Sequence, residues 1–284
     1  MRKFTLGAVA YAPKVVTIWE GFKEYFFEKD FSFDYILYSN YEAQVEALFD
    51  GTIDAAWNSP LAAVRAQRIG KSMGTPVGYG PMRDTDQNLT SVLVVRKDSG
   101  AAKLQDLNGK TVGFGALDSP QARLIPLDHM RQSGLIAGQN YKTRLFDVLA
   151  GKHGDHIGGE RDAALALMQK EVDACWMIDG NYQAFSSEGT LPANETRILS
   201  TTDKYDHCIF NFAPKAAKDQ TDTFTRILMS MQWSDPKVRP LLELEGLKEW
   251  RTGRTGGFSL LSRAVDDEKF YDQNGKIIEP SYRY

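Results

Sequence analysis

Cysteine and histidine are scarce in this sequence, with two cysteines and four histidines among 284 residues. Cys175 and Cys208 lie far apart, so no disulfide framework is expected. Two reduced, partly buried thiols are the simpler reading, and one bridge the alternative. No run of 18 apolar residues occurs, which excludes a membrane-spanning helix. Neither sign of charge dominates: 34 Lys and Arg stand against 37 Asp and Glu, for a formal net charge of -3. The basic residues are dispersed rather than striped, so nucleic acid is not an expected partner. The sequence also lacks a Walker loop, a dinucleotide-binding fingerprint and a nucleophile elbow, and no cofactor or resident metal is expected. At the N-terminus, MRKFTLGAVAYAPKVV places basic residues before an apolar stretch that charge and proline interrupt. It reads as a first strand rather than a leader, and the expected location of the chain as written is the cytoplasm.

What is present is a repeated strand, loop and helix pattern in a chain that is 42% hydrophobic, enough for two modest cores. Strands are expected over 4–10, 33–38 and 53–57, with helices over 16–27, 41–50 and 61–67. The second helix ends at Gly51 and the third starts at the turn Asn58-Ser59-Pro60. β-rich segments follow at 75–80 and 89–96, the latter suited to crossing between lobes, then a strand over 111–115. Ser119 before Pro120 marks a helix start, with the helix running to about 133. Further elements are expected at 143–149, 160–170 and 174–178, a return crossing at 205–212, and helices near 222–231, 237–243 and 260–264. The expected class is α/β with parallel sheets. The expected division is a first lobe over 1–92, a second over 93–204, and a return to the first over 205–284, with the strand ends and helix N-termini of both lobes around a cleft.

Two helix starts carry the functional reading. Asn58-Ser59-Pro60 and Asp118-Ser119-Pro120-Gln121 each set hydroxyl and amide groups beside unsatisfied backbone N–H groups at an expected strand end. Simple capping explains either one alone; two such starts make Asn58, Ser59, Ser119 and Gln121 candidates for an anion site. Arg83 offers bidentate recognition of a carboxylate, phosphate or phosphonate if it faces that site, and a solvated loop charge otherwise. Tyr11 has the better loop position for a ligand; Trp57 reads as core, and Tyr79 as a second wall. His153 and His156 flank a glycine-rich turn in which Gly158-Gly159 forms an anion nest or a close backbone approach. With Asp155, Glu160, His207 and Cys208 they supply metal-ligand chemistry, but their spacing matches no zinc signature, and histidines hydrogen-bonding in an anion cleft are preferred. Asp179, with Asn181 and Tyr182 after it, and Tyr205, Asp206 and His207 are expected to border the two crossings.

Across roughly residues 4–264 the chain resembles the phosphate/phosphite/phosphonate substrate-binding proteins of ABC transporters, which have the type II periplasmic-binding-protein fold. The resemblance lies in the opening strand and Tyr11 loop, Asp54-Ala55-Ala56-Trp57-Asn58-Ser59-Pro60, Gly109-Lys110-Thr111-Val112-Gly113-Phe114-Gly115, Asp118-Ser119-Pro120-Gln121, Arg161-Asp162-Ala163-Ala164 and Glu171-Val172-Asp173-Ala174. It implies two α/β lobes with a central ligand cleft and two crossing segments, where Tyr11, Asn58-Ser59, Ser119 to Gln121 and the His156 region surround an oxyanion. It also implies an ABC permease as partner, and a periplasmic location if a signal peptide was removed. Ser119-Pro120-Gln121-Ala122 departs from the Ser/Thr-rich segment of the phosphonate binders, which widens the expected ligand to a small anionic or polar molecule. The alternative is a cytoplasmic enzyme of the same fold that uses His156, His207 or Asp206 for acid–base or metal-assisted chemistry.

Overall fold

A computed structural model of the chain describes residues 3–154 and 157–284. The first elements are β1 (Phe4–Val9), α1 (Lys14–Phe27), β2 (Phe33–Tyr38), α2 (Tyr41–Asp50), β3 (Ala55–Asn58), α3 (Pro60–Ser72), β4 (Gly78–Tyr79) and β5 (Met82–Arg83). They continue with β6 (Ser91–Arg96), β7 (Thr111–Phe114), α4 (Ile125–Gln132), β8 (Lys142–Leu145), α5 (Glu160–Met168), β9 (Ala174–Ile178) and α6 (Asp179–Glu188). The remainder are β10 (Thr196–Thr201), β11 (Ile209–Phe212), α7 (Lys218–Met229), α8 (Arg239–Glu245), β12 (Trp250–Arg251) and α9 (Ser259–Asp267). They group into two units. Unit 1 holds the chain up to Gln87 with Asp206–Phe258 and Tyr271–Ile277, and unit 2 holds Asn88–Tyr205, Ser259–Phe270 and Ile278–Tyr284.

The sheet of unit 1 runs β2-β1-β3-β11-β4, with β1 parallel to β2 and β3, and β11 antiparallel to β3. The chain leaves β1 toward one neighbour, β2, and returns on its other side as β3. That reversal puts a topological switch point at the carboxyl ends of β1 and β3, where open α/β sheets bind ligands. The core against this sheet is aromatic. Val15, Ile18, Trp19, Phe22 and Phe26 recur on one face of α1 at helical spacing and are buried. Phe26 stacks on Phe33 with ring centroids 4.6 Å apart, and Phe4 on Phe224 at 4.8 Å. Trp57 lies in this core, 4.5 Å from the ring of Phe210, so its aromatic surface packs rather than lines a site. Tyr79, at the sheet edge, is partly exposed.

Unit 2 repeats the topology in its own sheet, β10-β6-β9-β7-β8, where β7 pairs in parallel with β8 and β9 and the antiparallel β6 lies beyond β9. The repeat reaches individual residues. Asp54 Oδ2 accepts from Thr5 N at 2.9 Å while Asp54 N donates to Thr5 O at 2.8 Å. Asp173 and Thr111 make the same pair at 2.9 and 2.8 Å. Each aspartate opens a strand of one pattern, Asp54-Ala55-Ala56-Trp57 and Asp173-Ala174-Cys175-Trp176, and each follows a helix closed by a left-handed residue, Gly51 or Lys170.

Three expectations change. The sheets are mixed rather than parallel, because β11 and β6 enter from the far end beside β3 and β9. The segment after β9 is the helix α6 and not an open crossing. The C-terminal region, expected to return wholly to the first lobe, divides: Leu261, Ala264 and Val265 of α9 are buried, and Arg263 binds the buried Asp128 of α4 at 2.7 Å, so α9 belongs to unit 2. Cys175 and Cys208 are buried in different units and form no disulfide. Among the described residues no helix is long and apolar enough to cross a membrane.

Candidate functional site

The two switch points gather most of the candidate residues. In unit 1, β3 ends in Asn58 and α3 begins at once, because Ser59 is extended and its Oγ accepts from Ala62 N at 3.2 Å. Pro60, with no N–H of its own, fills the first helical position at no loss. Asn58 is fully buried: its Nδ2 donates to Asn211 Oδ1 at 2.9 Å and its Oδ1 accepts from Gln44 Nε2 at 2.8 Å. This chain of amides fixes the end of β3 next to the cap. Tyr11 follows β1 at the same edge, half-buried against the aromatic core, with its N–H donating to Val9 O at 3.0 Å.

In unit 2 the corresponding edge holds Ser119, whose Oγ accepts from Ala122 N at 3.1 Å. A hydroxyl that accepts in this way keeps its own hydrogen to donate. The expected α-helix opens instead with a π-helical turn, Pro120–Leu124, in which Leu124 N reaches Ser119 O at 3.0 Å. Such widened turns recur at functional sites. Gln121 is buried within the turn; its Nε2 donates to Gly154 O at 2.9 Å and to Glu160 Oε1 at 3.3 Å, and its Oε1 has no hydrogen-bond partner among the described residues. Glu160 Oε2 accepts from Ile178 N at 3.1 Å and Asn181 Nδ2 at 2.8 Å. Full burial outweighs these bonds and lifts the Glu160 carboxyl to about 7. Ser91 Oγ joins the group, donating to Gln121 O at 2.6 Å and lying 2.8 Å from Tyr205 Oη.

The glycine-rich turn closes over this group. Left-handed backbone recurs at Leu149, Gly151, His153, Gly154, Ile157, Gly158 and Gly159, a density of strain that suits a binding element. At Gly154 any side chain would collide with Ser119 Oγ, and at Gly159 with Phe146 O, so both glycines are required by close approach. His153 is buried, and its backbone N–H donates to Asp118 Oδ2 at 3.1 Å. Asp118 also accepts from Gly151 N at 2.7 Å and Tyr282 Oη at 3.2 Å. His156, with Asp155, lies outside the described residues. Asp179 begins α6, where Oδ2 accepts from Thr90 Oγ1 at 2.9 Å.

Two candidates sit elsewhere. Arg83 does not offer its fork to a ligand: Nε and Nη2 bind Asp86 at 2.5 and 2.9 Å, and Nη1 binds Glu245 O at 2.9 Å. His207 is buried in unit 1 with Nδ1 3.1 Å from Cys208 Sγ, whereas His153 and Glu160 belong to unit 2. Burial lowers the His207 imidazole to about 4. Among the described residues, the His/Cys/Asp/Glu group with metal-ligand spacing is Asp86, His207 and Cys208. The sequence alone did not point to Gln44, Asn211 and Ser91 as partners of the site, and it offered Glu160 only as a possible metal ligand or first-turn residue. The repeated Asp-Ala-x-Trp strand was the available signal for where each edge lies.

A family model described as the periplasmic substrate-binding protein of a phosphonate ABC transporter matches residues 7–254. Among solved structures, PhnD1 from Prochlorococcus marinus (MIT 9301) in complex with methylphosphonate is 16% identical, covering 93% of this chain and 97% of that one with a TM-score of 0.68. A binding-protein component of an ABC phosphonate transporter from Pseudomonas aeruginosa is 14% identical, with 92% and 84% covered and a TM-score of 0.63. The periplasmic aliphatic sulphonate-binding protein SsuA from Escherichia coli is 16% identical, with 94% and 83% covered and a TM-score of 0.56.

Proposed function

The chain belongs to the phosphonate family of periplasmic substrate-binding proteins of ABC transporters, and we propose that it captures a small oxyanion-bearing solute with donors at the carboxyl edges of its two sheets. The observation that carries this is the duplicated edge: Ser59 and Ser119 each cap a proline-led helical turn, and each adjoins a buried side-chain amide, Asn58 or Gln121. Helix N-termini of this kind bind anions through backbone N–H groups and the helix dipole, without a dedicated cation. That suits a chain whose Arg83 is committed to Asp86. Gln121 Oε1, an acceptor without a hydrogen-bond partner among the described residues, suits a ligand that carries an N–H or O–H donor as well as its anionic group. Hydroxy acids and monoprotonated phosphonates meet both requirements. Tyr11, His153, Asp179 and Tyr205 support the walls of these edges rather than supply charge.

The family is a transporter component, so the partner is an ABC permease. We place this chain in the periplasm with its family; release by osmotic shock from cells expressing the native gene supports that, and retention in the cytoplasmic fraction refutes it.

The test of binding is a titration of methylphosphonate, inorganic phosphate, ethanesulfonate, acetate and a 2-hydroxy acid, together with native mass spectrometry of untagged protein. At least one of these anions, or a co-purifying one, is expected at one per chain. Ser119→Ala is expected to weaken it by tenfold or more while costing about 1 kcal/mol of stability, the worth of a cap. An unchanged affinity removes Ser119 from the site. Absence of any bound anion in both experiments refutes the reading.

A further inference from the structure

Unit 1 contains a buried group that anion capture does not use. Asp86 closes a short helical turn after β5, just before the chain leaves unit 1 at Gln87, and His207 and Cys208 follow directly on its re-entry at Asp206. His207 N donates to Asp86 O at 2.8 Å, joining the outgoing and returning segments. Their side chains converge: His207 Nδ1 is 3.1 Å from Cys208 Sγ and 3.6 Å from Asp86 Oδ1, and all three residues are buried.

We propose that Asp86, His207 and Cys208 form a binding site for a thiophilic divalent cation such as zinc. Ligand atoms held about 2.0–2.3 Å from a tetrahedral zinc lie roughly 3.3–3.6 Å from one another. The spacings of Nδ1 to sulfur and to the carboxylate bracket that range. The carboxylate separation exceeds an ordinary hydrogen bond, so a single imidazole proton does not satisfy both neighbours. Among the described residues His207 Nε2, which is buried, has no hydrogen-bond partner, and the ring is held through Nδ1. A cation would be within reach of nitrogen, sulfur and oxygen together.

Charge agrees. The Arg83 guanidinium is shared between Asp86 and Glu245, and a Cys208 thiolate would add a negative charge that a dication offsets. The Asp86 oxygens bonded by Arg83 retain lone pairs for a metal, as carboxylate ligands in metal sites commonly do. A bound ion would fasten the outgoing segment to the returning one beside both chain passages.

The test uses the full chain, stripped with a chelator and titrated with cobalt(II) and then zinc(II). One cobalt per chain is expected, with a near-ultraviolet thiolate-to-cobalt absorption that zinc abolishes. Because the chain has only two cysteines, Cys175→Ser is expected to retain this absorption and Cys208→Ser to lose it. The Cys175→Ser protein assigns the thiolate even if Cys208→Ser does not fold. Absence of a thiolate absorption in the wild type, or its loss in Cys175→Ser, overturns the proposal. Anion affinity is read separately on the stripped protein, so failure here leaves the solute-binding reading standing.

Discussion

Glu160→Gln tests the electrostatics of the unit 2 edge. The Glu160 carboxyl is buried, and its pKa is raised from 4.5 to about 7, with burial opposing the bonds from Asn181, Ile178 and Gln121. The folded state therefore holds a proton that the unfolded chain releases above 4.5. Stability from this group is complete below pH 4.5, falls as pH rises toward 7, and is constant above. Each pH unit over that span is worth about 1.4 kcal/mol, so the full loss is about 3 kcal/mol. Glutamine cannot ionise. Its Oε1 can accept from Ile178 and Asn181, while its amide nitrogen meets Gln121, which can turn its unpartnered Oε1 to accept. That turn gives up the bond to Gly154 O and costs about 1 kcal/mol at every pH. The assay is urea unfolding by circular dichroism at half-unit steps from pH 4.5 to 8.5, with chelator present. The variant-minus-wild-type stability should climb by about 3 kcal/mol between pH 4.5 and 7 and then level off. His207 contributes the opposite slope, since its lowered pKa loses stability as pH falls below 6.5, but it does so in both proteins and cancels. Neighbouring Cys175 and Tyr205 are pushed upward, chiefly by burial, and do not titrate in this range. A flat difference curve refutes the assignment of Glu160 as a buried, proton-holding carboxyl.

Arg83→Ala should destabilise unit 1 by about 3 kcal/mol in urea unfolding, because Asp86 is left buried without its cation. The value sits at the lower end for buried pairs because a fifth of the Arg83 side chain is exposed. Asp128→Asn removes the two-pronged contact with Arg263 and should cost about 1–2 kcal/mol, discounted for the half-exposed arginine. Hydrogen exchange should then accelerate selectively in α9; unchanged exchange there would detach Asp128 from the docking of that helix. Lys170 occupies the left-handed position that Gly51 fills in unit 1, with φ of 63°, so Lys170→Gly should raise the unfolding midpoint, by up to about 1 kcal/mol. A lower midpoint would show that the lysine side chain contributes more than its backbone strain costs.

Much of the local architecture is legible in the residues themselves. Ser59-Pro60 and Ser119-Pro120 both start helical turns as their residues favour, because a side-chain oxygen and a residue without an N–H meet the needs of a first turn. The strands Ala55–Asn58 and Ala174–Ile178 follow from short apolar runs opened by aspartate, and the family resemblance from their order along the chain. Tertiary structure decided what each polar group faces. Arg83 is withheld from ligand by Asp86 nearby and by Glu245, a residue that no local pattern connects to it. Gln121 gains its role from Gly154, Glu160 and Ser91, which arrive on three other segments. His207 gains its neighbours Asp86 and Cys208 within unit 1, while His153 is held by Asp118 within unit 2. Local signals encode backbone conformation, which each residue settles with its neighbours. The partners of a buried charge or amide are settled by whichever segments pack around it.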